Sequence, residues 1–415
     1  MKVIVVLLRG LHLGYLGCYG NEWIDTRHLD RLTAEGVVFD QHFAECPDAA
    51  AARRAWRSGF ITPPADQPPD LISLLQERGV SCQLIVDAAH DDASDFRRGW
   101  SSVRQAAVDH NSDEPLNGLA AHVRDGLNDL STYENGLLWI DSAILIPPWS
   151  IPQEHLDAHF NPAPIDEAEE EADADGEEEP MEPLLNPVPG PLPAPADESF
   201  QRLQLTYAAA VSCVDSFVGS LCDALRDRNL ADETLLIVTT DHGQALGEHG
   251  IVGPFRPWLH DELIHIPLLM RLPRGVAAGR RIAALTQSVD LHATLLDAFG
   301  IQPQSTHGYS LLPLARAESE QLRSFACSSL KLGEREEWAL RTHEWALILP
   351  VAQAIDDPVR GPQLYVKPDD RWEVNNVLQH HLELGERLEA VLREFVAAPR
   401  RVGLETPWRN NEGQA

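Results

Sequence analysis

The chain opens on an unbroken apolar run, Val3 to Leu8, rich in β-branched residues and bounded by Lys2 and Arg9. Six apolar positions between charges predict a strand buried on both faces. A helical pattern follows, in which Thr26 caps a segment running through Leu29, Leu32 and Ala34, closed by Gly36. The alternation continues through residues 1–160: Leu71–Arg78 predicts a helix, while Ser81–Val86 and Gly136–Ile140 predict strands. Apolar positions at Leu203, Tyr207, Val211, Val214, Phe217, Leu221 and Leu225 predict one long amphipathic helix over 200–230. Beyond it, Leu235–Thr240 and Pro267–Leu272 predict buried strands, and Leu291–Phe299 predicts a helix ended by Gly300. Strands alternating with helices predict an α/β fold with a large, mostly parallel sheet sandwiched by helices.

After residue 313 the pattern changes to short strands, Arg323–Ser328, Glu337–Arg341, Trp345–Leu349 and Gln363–Val366, then a helix over 382–396. This predicts a small antiparallel sheet docked on the larger domain. The expected organisation is an α/β domain over 1–312, a C-terminal α+β subdomain over 313–400, and a tail over 401–415. Residues 162–198 interrupt the first domain. Asp166 to Glu182 contains eleven acidic residues and no basic one, and closely spaced prolines follow to Pro195. Such a segment repels itself and offers little to bury, which predicts an extended, disordered insert. It reads as a solubilising loop or, alternatively, as an acidic docking segment.

Charge narrows the partners. With 64 acidic and 33 basic side chains the formal net charge is −31, and the eleven acids of the insert account for only part of it. Nucleic acid and anionic membrane surfaces both require clustered Lys and Arg, so neither is expected as the principal partner. No sequence stretch approaches the roughly 18 consecutive apolar residues of a membrane span. The first apolar run is too short for an export signal. The six cysteines, at 18, 46, 82, 213, 222 and 327, show no CxxC spacing. They read as reduced core thiols, and the expected location is cytoplasmic.

Three stretches carry a resemblance. The first is Leu16-Gly17-Cys18-Tyr19-Gly20 with Thr26-Arg27-His28-Leu29-Asp30 and the segment to Phe39; the second is Thr239-Thr240-Asp241-His242-Gly243 with Leu246-Gly247-Glu248-His249-Gly250. The third is Val289-Asp290-Leu291, Thr294-Leu295-Leu296 and Gly308-Tyr309-Ser310-Leu311-Leu312-Pro313. In order and spacing these resemble the sulfatase family of the alkaline-phosphatase superfamily. Gln363-Leu364-Tyr365 with Glu373-Val374-Asn375 is similar to its C-terminal signature. The resemblance implies sulfate or phosphate ester hydrolysis, which needs an oxygen-ligated divalent cation, an activated nucleophile and cationic side chains to hold developing charge. In a parallel sheet these groups converge at the carboxyl ends of the strands.

The resemblance also implies positions for each part, and this chain departs from most of them. The early pair of metal-ligand aspartates falls on Arg9 and Gly10, and an arginine repels a cation. The nucleophile falls on Ala49, four residues before the matching Arg53, while Cys46 lies three residues too early. The middle-strand histidine falls near Ile146 and the late lysine on Pro254, with Arg256 as a nearby substitute. Retained are Arg53, His249 and the late metal-ligand pair Asp241 and His242. Arg53, His242 and Arg256 are the candidate anion-binding groups. His249 and His260 also read as hydrogen-bonded structural histidines.

Arg9 is expected to pair with Asp241, placing a covalently attached positive charge where the family holds its cation. The leading reading is therefore a degenerate, catalytically inactive sulfatase-fold protein acting by binding a protein partner or an anionic small molecule. No cofactor is expected; a divalent Ca or Mg at Asp241 and His242 is the alternative. Two further readings stand beside it: a metal-dependent sulfuric or phosphoric ester hydrolase with a rearranged site, and an interaction scaffold presenting the acidic insert.

Overall fold

The structure is a computed structural model that describes residues 1–62, 68–87, 95–107, 115–161, 181–192, 196–253, 259–302, 306–354 and 360–408. The strands are β1 Lys2–Leu8, β2 Val37–Phe43, β3 Ser81–Asp87, β4 Ser102–Ala106, β5 Gly136–Ser142, β6 Gly190–Pro191, β7 Thr234–Thr239, β8 Ala245–Leu246, β9 Ile251–Gly253, β10 Leu268–Arg271, β11 Arg280–Gln287, β12 Ala326–Leu332, β13 Arg335–Arg341, β14 Trp345–Ala352 and β15 Gln363–Val366. The helices are α1 Arg27–Ala34, α2 Ala49–Ser58, α3 Leu71–Glu77, α4 Asn117–Thr132, α5 Gln153–Phe160, α6 Ala196–Asp227, α7 Asp261–Ile264, α8 Asp290–Ala298, α9 Leu312–Ala315 and α10 Leu382–Ala397.

Eight strands form the main sheet in the order β11-β2-β10-β7-β1-β5-β3-β4. Among the described residues of this sheet, only β10 runs antiparallel to its neighbours. The expected α/β class is thus realised with one reversed strand. β1 shows why the apolar run reads without alternation: both faces are covered. Ile4, Val6 and Leu8 pack with α1, α4 and α6 in one core, while Val3, Val5 and Leu7 pack with α2, α3, α8 and α9 in the other. Helix α6 is long and apolar enough to cross a membrane, yet 67% of its most apolar stretch is buried within the fold. Its Tyr207 and Leu203 are fully buried.

Register fixes the site. Leu7 lies opposite both Asp141 on β5 and Thr239 on β7, and Leu8 lies opposite Ser142. The residues following β1 and β7 therefore emerge level with the last residues of β5. The next strands, β2 and β3, lie on opposite sides of β1. The strand ends at β1 are thus the crevice where open α/β sheets collect functional groups.

The antiparallel sheet β12-β13-β14-β15 carries α10 on one face. Its other face buries Phe43, Leu259, Leu263, Ile264 and Leu285 of the larger domain. Two sequence expectations change. The tail begins later than residue 401: Val402 and Trp408 are buried, and Trp408 packs edge-on against Phe325 at 5.8 Å. The 162–198 insert is not uniform either. Residues 162–180 and 193–195 lie outside the described residues, but 181–192 pack on the domain. The Trp149 amide donates to the Leu185 carbonyl, the Leu184 amide donates to Thr206 Oγ1, and β6 pairs with β9. Leu184 and Leu192 supply apolar contact with the core, which the acidic composition upstream conceals.

Candidate functional site

Each group at the strand ends is held by the chain segment that delivers it. Arg9 follows β1, and its amide donates to the Ser142 carbonyl at 2.8 Å. Its Nε lies 3.3 Å from Asp241 Oδ2, and the Asp241 side chain is fully buried. Asp241 also accepts from the His242 amide at 3.0 Å, while His242 Nδ1 sits 2.8 Å from the Gly243 carbonyl. Burial raises the Asp241 pKa, but His242, Arg9 and Arg53 outweigh it and hold the carboxyl below the usual range. The expected Arg9–Asp241 pair is present. Gly243 is needed where it stands, because a Cβ would collide with the Glu262 carbonyl.

Arg53 sits on the second turn of α2, whose N-terminus is capped by Asp48 accepting from the Ala51 amide at 2.7 Å. The sequence reading casts Arg53 as an anion holder. The structure places its Nη2 2.6 Å from Asp141 Oδ2 and its Nε 3.2 Å from the same oxygen, with the side chain 4% exposed. Its charge is thus already matched inside the fold. Asp87, at the end of β3, accepts from Ser142 Oγ and from the Ala143 amide. Burial pushes the Asp87 pKa up to about 6.

The other positions are filled by packing. Gly10 has φ +75°, and a Cβ there would lie 2.7 Å from Ile146 Cδ1 and 3.2 Å from Gln244 Nε2. Gln244 Nε2 donates to the carbonyls of Gly10 and Leu145, and Tyr207 Oη donates to the Gly10 carbonyl at 2.7 Å. No carboxylate fits at position 10 without displacing them. Ala49 is buried at the start of α2. Cys46 packs beside a core cluster, and burial pushes its thiol up to about 12, the opposite of what a nucleophile needs. All six cysteines are free thiols. Pro254 and Arg256 lie outside the described residues.

His249 and His260 form a second group. Their rings stack at 3.9 Å, and His249 Nδ1 lies 3.1 Å from Glu262 Oε1. His260 Nδ1 lies 2.6 Å from Glu373 Oε2, which reaches in from the C-terminal region. Nearby, Arg281, Arg341, Lys367 and Arg371 line a cleft of about 280 Å³ with Asp40, Asp261, His265 and Tyr19. Arg341 and Lys367 are paired to Asp261 and Glu373.

Asp141, Asp87, Gln244, Tyr207 and Glu373 carry no assigned role in the sequence reading. For Asp141 and Asp87 a signal exists: each is an acid at the carboxyl end of an apolar strand run, where nothing but a nearby cation or donor makes burial tolerable.

Residues 2–301 match the family model described as Sulfatase, and residues 247–394 match the one described as N-sulphoglucosamine sulphohydrolase, C-terminal. Arylsulfatase K of Gallus gallus is 30% identical over 213 residues, covering 49% of this chain and 38% of that protein. Arylsulfatase K of Homo sapiens is 27% identical over 216 residues, with 49% and 38% covered. The matches therefore span under half the length of these relatives. Among solved structures, one in complex with its substrate D-glucosamine-2-N,6-O-disulfate superposes with a TM-score of 0.73 at 18% identity, covering 95% of this chain and 97% of that one. The phosphonate monoester hydrolase of Agrobacterium radiobacter gives 0.72 at 18% identity, with 95% of each covered. These structural likenesses establish the fold.

Proposed function

This chain belongs to the sulfatase family, and from that premise we propose that it is a non-catalytic member that acts by binding an anionic small molecule. The observation that carries the proposal is the Arg9–Asp241 pair, 3.3 Å apart and buried at the strand ends. A guanidinium there supplies the positive charge that a buried carboxylate needs, and it repels a second cation. Ile146 and Gln244 crowd the other early ligand position, and Ala49 offers no nucleophile. A single change could be compensated, but these act on separate parts of one reaction.

We assign binding to the cleft that Arg371 lines, with Arg371 as the anion holder, since Arg281, Arg341 and Lys367 in the same lining are already paired to Asp40, Asp261 and Glu373. A sulfated sugar suits it, since planar guanidiniums pair well with oxyanions. A substrate of that class occupies the similar solved structure. Arg371 is exposed and leans on Trp372 at 5.2 Å, so it can turn toward a ligand.

The test has two arms. The purified chain is incubated with 4-nitrophenyl sulfate and calcium or magnesium, beside Asp241→Asn. No turnover above buffer is expected; metal-dependent turnover lost in Asp241→Asn overturns the non-catalytic reading in favour of a rearranged hydrolase site. Separately, calorimetric titration with a sulfated glucosamine should show binding that Arg371→Ala weakens by about tenfold, which is about 1.4 kcal/mol. Equal affinity in the variant moves the ligand elsewhere.

A further inference from the structure

We propose that His249, His260 and Glu262 form a site for a zinc-class transition-metal ion, separate from the strand-end cluster. The donor atoms of the three side chains lie within 4.8 Å of one another. His249 Nδ1 and Glu262 Oε1 are 3.1 Å apart. With metal–ligand bonds of about 2.0–2.1 Å, two ligands on one tetrahedron lie about 3.3 Å apart, so this spacing suits two positions on a single ion. The third residue is held from behind: His260 Nδ1 meets Glu373 Oε2 at 2.6 Å, which leaves Nε2 as its ligand atom, and on metal entry the stacked rings, 3.9 Å apart, would have to fan open so that both nitrogens face the ion. A carboxylate on the far nitrogen of a ligating histidine fixes its tautomer and raises its basicity.

The backbone supports the same reading. His249 and Glu373 both have positive φ, +53° and +54°, although neither is glycine. Two such conformations converge on one pair of rings, which marks a place where geometry is held for its side chains. The ring of His249 is 20% exposed, and the carboxylate of Glu262 is 7% exposed. An ion can therefore enter from solvent while most of its shell is protein. Each ring has a carboxylate beside it, Glu262 on His249 and Glu373 on His260, while Arg341 and Lys367 are paired to Asp261 and Glu373.

Two nitrogens and one oxygen favour zinc, cobalt or nickel. A calcium or magnesium ion wants oxygen donors throughout and is a poor match. Three protein ligands leave a fourth position for water or for a donor atom of a bound molecule. Glu262 and Glu373 also line a narrow cleft with His12, Asp261 and Trp372, through which such a molecule would reach the ion. The ion would tie the loop after β8, the start of α7 and the segment after β15 into one unit.

The test uses the full chain stripped with a chelator and titrated with zinc, with bound metal measured by elemental analysis after desalting. Cobalt(II) serves as a visible-absorption probe. One equivalent per chain is expected, with the intense visible bands of a cobalt site of low coordination number. Glu262→Gln and His249→Ala should each weaken zinc binding at least 100-fold, and Glu373→Gln by about 10- to 100-fold. Circular dichroism confirms that each variant is folded, and His249 lies at the surface where truncation leaves the core intact. Asp241→Asn should retain zinc, which separates this site from the strand ends whatever becomes of the non-catalytic reading. Absence of a stoichiometric equivalent overturns the proposal. So does undiminished affinity in Glu262→Gln and His249→Ala, or loss of the metal in Asp241→Asn alone.

Discussion

Replacing Arg9 with alanine removes the partner of a carboxylate that has no exposed surface. Breaking a buried pair from one side typically costs about 3–5 kcal/mol, because the remaining charge loses its compensation without regaining water. Here His242 and Arg53 still act on Asp241, so the lower end, about 3 kcal/mol, is expected. Unfolding entropy near 2.1 cal/mol/K per residue over 415 residues gives about 0.9 kcal/mol/K, so the Tm should fall by about 3–4 °C. Acid should shrink this deficit. In the parent the Asp241 pKa is lowered, so the stabilisation is present above its unfolded value near 3.9 and fades as pH drops through the folded value. The variant protonates Asp241 more readily and relieves its own penalty, so the two melting curves converge toward acid. The assay is chemical denaturation of the parent, Arg9→Ala, Arg9→Met, Asp241→Leu, and Arg9→Met combined with Asp241→Leu. The combined variant should recover to within about 1 kcal/mol of the parent, with a coupling of at least about 2 kcal/mol. A cost below about 1 kcal/mol for Arg9→Ala, or simple additivity in the cycle, would refute the idea that this pair neutralises the strand ends.

Further outcomes follow from other residues. Glu45 is buried, with its pKa pushed up to about 7 chiefly by burial, so its ionisation opposes folding. Stability should fall by about 3 kcal/mol as pH rises from its unfolded value near 4.5 to 7, and Glu45→Gln should flatten that slope in pH-dependent denaturation. Gly243→Ala drives a Cβ into the Glu262 carbonyl and should cost about 1–3 kcal/mol by urea denaturation. Gly10→Asp meets both a positive φ and Ile146, so it should lower Tm more than Arg9→Asp does. On the non-catalytic reading proposed above, Ala49→Cys should leave aryl sulfate turnover at the buffer rate, because a thiol alone does not supply the cation the reaction needs; measurable hydrolysis would contradict this.

The regular elements were legible wherever burial left a simple pattern. β1, β3, β5, β7 and α6 fall close to the spans that apolar periodicity indicates, and the Arg9–Asp241 contact follows from the resemblance once strand ends are compared. β11 gave no such signal, because it begins Arg280-Arg281 and alternates buried and exposed positions before its buried end. α4 carries Gly118 and Gly126 and many polar residues, and a Cβ at Gly126 would press on Ile85 and Leu138 at 3.0–3.1 Å. The Arg53–Asp141 pair was hidden for a different reason. Both residues stand in recognisable stretches, but they are 88 positions apart, and no local pattern reports which buried charge faces which. His249 and His260 were visible singly. Their meeting with Glu262 brings together residues 11 and 13 positions from His249, and Glu373 arrives from beyond β15, so no local pattern reports it.

The guanidinium of Arg9 differs from a bound ion in being permanent. It cannot dissociate, so if it stands in for the cation, as proposed above, chelators should leave the stability of the strand ends unchanged. The same permanence makes the arrangement hard to reverse. Arg9→Asp alone faces Asp241 with a second acid, and Gly10→Asp alone meets a left-handed backbone against Ile146 and Gln244. Neither substitution restores an ion-binding shell, and each by itself lowers stability. On the reading proposed above, acquiring a cation at the strand ends therefore requires several simultaneous changes, and Arg9 acts as a one-way catch on the history open to this sequence.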